Sequence, residues 1–203
     1  MLNDLGLTRR AFLGLSAALV GTAAVPGRLW ALTVDGAERL VSGLVDELMV
    51  LINLGRPENR MFQEFEGLLD RYADMPIIAQ SVLGPAWRTA SATQRRNFTD
   101  VFGSYISRKY GRQFRDLIGG RIDVTGARAI RNFFEVTSVI SLQGEAPYDL
   151  IWLVSDGSGQ PRVFNLIVAG VNLRTTEAEE VGAILDRNRG NIDAMIDELR
   201  TMG

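Results

Sequence analysis

The chain is 203 residues long, 46% hydrophobic and 23% charged, which suits one globular domain with a substantial core and excludes a disordered chain. Its formal charge of −2 leaves no basic footprint for nucleic acid. It has no cysteine and no histidine, so disulfides and the Ser-His-Asp, Cys-His and His-metal chemistries are excluded, and only carboxylate, lysine, tyrosine or backbone chemistry remains.

At the N-terminus, Thr8-Arg9-Arg10-Ala11-Phe12-Leu13 matches the twin-arginine export pattern, with Arg9 and Arg10 as its arginine pair and Gly14 where a lysine is usual. The run Ala11 to Val25 is apolar but diluted by Gly14, Ser16, Gly21 and Thr22. It falls short of the ~20 apolar residues that span a bilayer. Small residues lead towards Ala31, so residues 1–31 read as a signal peptide and 32–203 as a single mature domain. Cleavage near Ala24 is the alternative, because Leu29 fits the small-x-small rule poorly. Loss of the leader removes three arginines and one aspartate, making the mature part more acidic.

In the mature part, Leu40, Val41, Leu44, Val45, Leu48, Met49, Leu51 and Ile52 recur at helical spacing, predicting a helix from Asp35 to Leu54 that Gly55-Arg56-Pro57 stops. A second helix is expected from Glu58 to Tyr72. Asp74 caps a short third one with Pro76 in its first turn, ended by Gly84-Pro85. Ser91 with Gln94 forms a capping box for the longest helix, expected to run to Gly119-Gly120. The chain then changes character. Ile122–Thr125, Asn132–Gln143, Tyr148–Ser155 and Arg162–Leu173 are rich in β-branched and aromatic residues and alternate with period two, so four strands are expected, the last three as an antiparallel meander. Thr176 with Glu179 is read as the cap of a closing helix to about Asn188, and Ile192–Leu199 as the last one. The fold class is therefore α+β in one domain, with helices packed on a twisted, mainly antiparallel four-stranded sheet.

The strand from Arg162 places Val163, Ile167, Ala169 and Val171 on one face and Phe164, Leu166 and Val168 on the other. Both faces are apolar, where a half-exposed antiparallel strand would show one polar face. Either helices cover both sides of the sheet or an apolar cavity lies between sheet and helices, and periodicity does not separate the two. Of the carboxylates, Asp70 and Asp74 flank Tyr72 with Glu64 and Glu66 nearby. No spacing fixes a pair across a cleft, and solvated helix faces account for them. Arg108, Lys109, Arg112, Arg115 and Arg121 form a basic run, read as a solvated face or else as a headgroup or partner contact.

The stretch from Phe65 to Tyr72, then Asp74-Met75-Pro76-Ile77-Ile78-Ala79-Gln80-Ser81-Val82-Leu83-Gly84-Pro85-Ala86-Trp87, then Ser91-Ala92-Thr93-Gln94-Arg95 with Phe98, Phe102 and Tyr110, resembles the MlaC (toluene-tolerance) family. Val163 to Leu173 resembles that family's final strand. It departs at Asn165, where an aspartate is expected, at Ala169, where an acidic residue is, and at Asn172, where a serine is. The resemblance implies a periplasmic carrier that moves phospholipid between an inner-membrane lipid ABC transporter complex and an outer-membrane lipoprotein complex, maintaining outer-membrane asymmetry. It implies no cofactor and no enzymatic step, with phospholipid as cargo. The lipid-binding pocket is then expected, by face and position, at Tyr72, Ile78, Val82, Trp87, Phe98, Phe102 and Tyr105 of the helical half. Phe134, Val136, Trp152, Val154, Phe164, Leu166 and Val168 of the sheet complete it. The alternatives are a carboxylate-dependent envelope enzyme and a ligand-free scaffold subunit of an envelope complex.

Overall fold

The computed structural model describes residues 32–203; Arg9, Arg10 and the rest of the proposed leader lie outside the described residues. The helical half comprises α1 (Val34–Asn53), α2 (Glu58–Tyr72), α3 (Met75–Leu83), α4 (Ala86–Thr89) and α5 (Ala92–Gly111). Then follow β1 (Arg121–Ile130), β2 (Phe133–Ser141), β3 (Tyr148–Ser155), β4 (Arg162–Val168), β5 (Val171–Asn172), α6 (Leu173–Arg187) and α7 (Ile192–Thr201). The five strands form one sheet in chain order, each pair antiparallel.

The caps follow the side chains the sequence offers. Thr33 accepts from the Gly36 amide at the start of α1, Asp74 from Ile77 at α3, and Ser91 and Gln94 form a complete capping box on α5. Besides β1, which runs on to Ile130 where it was expected to end at Thr125, and the short α4, which was not expected, three boundaries differ from the sequence expectation. The long helix ends at Gly111 and tightens into a 3-10 turn, Arg112–Leu117, so Phe114 and Leu117 leave the helical stripe. The strand from Arg162 breaks after Val168, because Ala169 (φ 47°) and Gly170 (φ 82°) make a left-handed turn that folds β5 back onto β4. This gives five strands where four were expected. The last change follows from the second: α6 opens at Leu173, and its cap is Asn172, whose side chain accepts from the Thr175 amide, rather than Thr176.

A bulge in β4 resets its alternation. Leu153 faces Asn165 but Val154 faces Val163, so Phe164 is the extra residue. Val163 therefore shares a face with Leu166 and Val168, opposite Val154, Trp152 and Leu150, instead of facing the other way as uninterrupted alternation implies.

The buried side chains fall into three clusters. One is wholly helical, joining α3, α5, α6 and α7 through Val82, Phe98, Tyr105, Val181 and Met195. A second packs Ala37, Val41 and Val45 of α1 onto Val136, Trp152 and Val154 of the sheet. A third joins Leu48, Leu51 and Ile52 of α1 to Met61 and Leu68 of α2 and to Phe114. No helix among the described residues is long and apolar enough to cross a membrane.

Candidate functional site

The three clusters do not merge, and a cavity of 330 Å³ lies where they meet. That volume is within the range of small-molecule sites, about 300–1,000 Å³. Each cluster contributes wall: Met75 and Phe102 from the helical one, Leu150 and Trp152 from the sheet, Leu68 and Phe114 from the third. The wall is almost wholly apolar. Trp152 is only 5% exposed, and its indole N–H donates to Ser138 Oγ at 2.8 Å, which orients the ring while leaving its surface apolar.

Of the residues expected in a pocket, Tyr72, Ile78, Phe102, Trp152, Phe164, Leu166 and Val168 line this cavity. The others sit elsewhere, for reasons that packing supplies. Val82, Phe98 and Tyr105 fill the helical cluster, where α6 packs against α3 and α7 against α5. Val136 and Val154 lie under α1, with Phe134 packed beside them. Trp87 is partly buried against the helical cluster, with the Arg95 guanidinium 5.6 Å from its ring centre, and borders a separate shallow groove with Ile77 and Pro85.

Several lining residues were not singled out from sequence. Leu44 and Leu48 come from α1, whose apolar stripe is wider than one interface needs: Val41 and Val45 meet the sheet while Leu51 and Ile52 meet α2. That width was the available signal. Phe114 and Leu117 enter only because the 3-10 turn redirects them, which no periodicity announces.

One end of the cavity is polar. Gln113, which is exposed, and Arg174, half-buried, mark where it reaches solvent. Beside them Glu177 is 3% exposed and accepts through Oε1 from Lys109 Nζ at 2.8 Å and from the Tyr110 hydroxyl at 2.6 Å. Lys109 also reaches Glu180, which accepts from the Tyr105 hydroxyl at 2.7 Å. Burial alone would lower the Lys109 ammonium, but the bonds to both carboxylates outweigh it and hold its proton above the usual lysine range. Burial, then the bond to Glu177, raises the Tyr110 hydroxyl. No cluster of three metal-ligating acids occurs among the described residues.

Comparison with known proteins places these features in a family context. The model of the MlaC family, described as MlaC protein, matches residues 43–201. The intermembrane phospholipid transport system binding protein MlaC of Haemophilus influenzae is 26% identical over 134 residues, covering 64% of this chain and 62% of that protein, so the match spans a little under two thirds of that relative's length. A solved structure of the phospholipid-binding protein from Ralstonia solanacearum, in complex with a phospholipid, matches with a TM-score of 0.67 and 23% sequence identity, covering 80% of this chain and 94% of that one. At that identity the likeness speaks for the fold.

Proposed function

The chain belongs to the MlaC family, and from that premise we propose that it is a periplasmic phospholipid carrier, shuttling lipid between an inner-membrane lipid ABC transporter complex and an outer-membrane lipoprotein complex. The observation that carries this reading is the apolar cavity at the meeting of three cores. A diacyl lipid has roughly thirty CH₂ groups, each contributing about 0.8 kcal/mol when removed from water. Passage of a free lipid through an aqueous compartment is therefore very slow, and a carrier must shield the tails. Leu48, Leu68, Phe102, Trp152 and Val168 supply such a lining from five different elements. The polar end beside Gln113 and Arg174 lets a headgroup stay near solvent.

Transport of this kind makes and breaks no bond. A carboxylate mechanism would need two acids facing each other across the cavity, whereas Glu177 is the one carboxylate lining it among the described residues, and it already accepts from Lys109 and Tyr110.

Native mass spectrometry of the protein purified from cells tests the reading. The expected spectrum carries extra mass equal to a phospholipid, released on denaturation; repeated preparations of ligand-free protein would overturn it. The location is tested separately. Replacing both Arg9 and Arg10 by lysine is expected to stop export and leave unprocessed protein in the cytoplasm, detected by fractionation. Undiminished export of that variant would remove the twin-arginine route.

A further inference from the structure

Two residues that line the cavity each carry a buried polar atom with no hydrogen-bond partner among the described residues: Asn165 Nδ2, a donor, and Glu177 Oε2, an acceptor. Their residues are 5% and 3% exposed, so solvent does not readily serve them. Leaving such groups unpaired is costly, and natural proteins rarely do so without a ligand, ion or water to complete the set.

The two groups are held in place. Asn165 Oδ1 accepts from its neighbour Leu166 and, at 3.3 Å, from the Arg174 amide in the first turn of α6, which fixes the amide plane and leaves Nδ2 free. Glu177 lies three residues beyond Arg174 on α6, hence on the same side of the helix. Its Oε1 is engaged by Lys109 and Tyr110, which leaves Oε2 as the available acceptor. Arg174 itself forms no ion pair among the described residues; its guanidinium lies 5.7 Å from the Phe164 ring centre, at the cavity lining. One small region thus offers a cation, a neutral donor and a charged acceptor.

We propose that Asn165, Arg174 and Glu177 form a headgroup seat that favours phospholipids whose phosphate is followed by an N–H or O–H donor. This rests on the phospholipid-carrier reading and adds a selectivity to it. Arg174 and Asn165 Nδ2 suit phosphate or ester oxygens, which only accept. Glu177 Oε2 requires a partner that donates. An ethanolamine ammonium or a glycerol hydroxyl meets that need. The trimethylammonium of choline has no N–H, and seating it leaves the buried carboxylate oxygen without a hydrogen bond.

The test incubates the full chain with vesicles of equimolar phosphatidylethanolamine, phosphatidylglycerol and phosphatidylcholine bearing the same oleoyl chains, then identifies retained lipid by native mass spectrometry. The wild type is expected to hold each donor-bearing lipid about tenfold more often than phosphatidylcholine. Glu177→Gln is expected to bring the three lipids towards parity, because it removes the acceptor that only the donor-bearing headgroups satisfy. Asn165→Asp instead removes a donor to the phosphate that all three share, and is expected to lower retention of all three alike. Asn165→Asp retains the oxygen that accepts from Leu166 and Arg174, so it removes the donor without removing the local brace. Equal retention of all three lipids by the wild type overturns the seat and leaves the carrier reading intact, with a bound water then satisfying the two atoms. An unchanged preference in Glu177→Gln, or undiminished retention of all three lipids in Asn165→Asp, overturns the assignment of these residues. Absence of any bound lipid overturns both the seat and the carrier reading.

Discussion

Trp152 ties the sheet to the cavity through one hydrogen bond, from its indole to Ser138 Oγ, with Ser138 1% exposed. Removing the hydroxyl would leave a buried donor unpaired, so Ser138→Ala is expected to lower stability by about 1–3 kcal/mol, read from chemical denaturation. No change in the midpoint would mean that the indole N–H finds another partner. Two neighbouring positions in β4 test the wall itself. Val168 lines the cavity, whereas Ile167, one residue earlier, does not, as strand alternation requires. Val168→Glu would place an unpaired charge among apolar side chains and is expected to abolish lipid retention, while Ile167→Glu is expected to keep it. Equal behaviour of the two folded variants in native mass spectrometry would move the lipid elsewhere. Sequence reading reached Val168, Leu166 and Trp152 because period-two alternation survives in β3 and in the latter part of β4. It assigned Val163 to the opposite face because the bulge at Phe164 leaves no mark in hydrophobicity alone.

Among elements, α1 and α2 form one side of the cavity and are joined at their surface by Glu47, which accepts from Arg71 and, at 2.7 Å, from the Tyr72 hydroxyl. Those two hydrogen bonds hold the Glu47 carboxyl below its ordinary range, and the bonds from Lys109 and Tyr105 do the same for Glu180 against the opposing effect of burial. The sign follows from linkage: near pH 4 the unfolded chain binds protons at these groups that the folded chain does not. Their stabilisation is complete above the unfolded value of 4.5 and is lost as pH falls through the lower folded values. Stability is therefore expected to decline from about pH 5 downward, with a shallower decline in Glu47→Gln, measured as denaturation midpoints across that range. A variant whose slope matches the wild type would show that the α1–α2 tie contributes nothing there. The helices themselves were legible because caps and stops are local: Asp74, Ser91 with Gln94, and Gly55-Arg56-Pro57 act within a turn of themselves. The early end of α5 and the start of α6 at Leu173 were less so. The first follows from a 3-10 tightening, and the second depends on the turn at Ala169-Gly170, which puts Asn172 rather than Thr176 in the capping position.

For the whole molecule, the cavity is a consequence of how three cores are shared among few elements. Each apolar lining residue looks like ordinary core in the sequence, and only the arrangement of α1, α5 and the sheet decides which side chains meet one another and which face a gap. That is why Val82 and Phe98 could not be told apart from Ile78 and Phe102 by spacing alone. The gap has an energetic meaning. Apolar side chains that face a gap forgo the packing contacts that a filled core would make, and an apolar ligand restores them. A ligand that fills it and is absent from the unfolded chain stabilises the fold by mass action, by about 4 kcal/mol when present at a thousand times its dissociation constant. For a domain of this size each kcal/mol moves the melting temperature by about 2–4 °C. Protein stripped of lipid by unfolding in detergent-free denaturant and refolding is therefore expected to melt on the order of 10 °C lower than protein as isolated. Reloading from phospholipid vesicles is expected to restore the difference. A scaffold that binds nothing would melt at one temperature before stripping, after it, and after reloading, so calorimetry of the three samples separates a carrier from a structural subunit without any assumption about which lipid it holds.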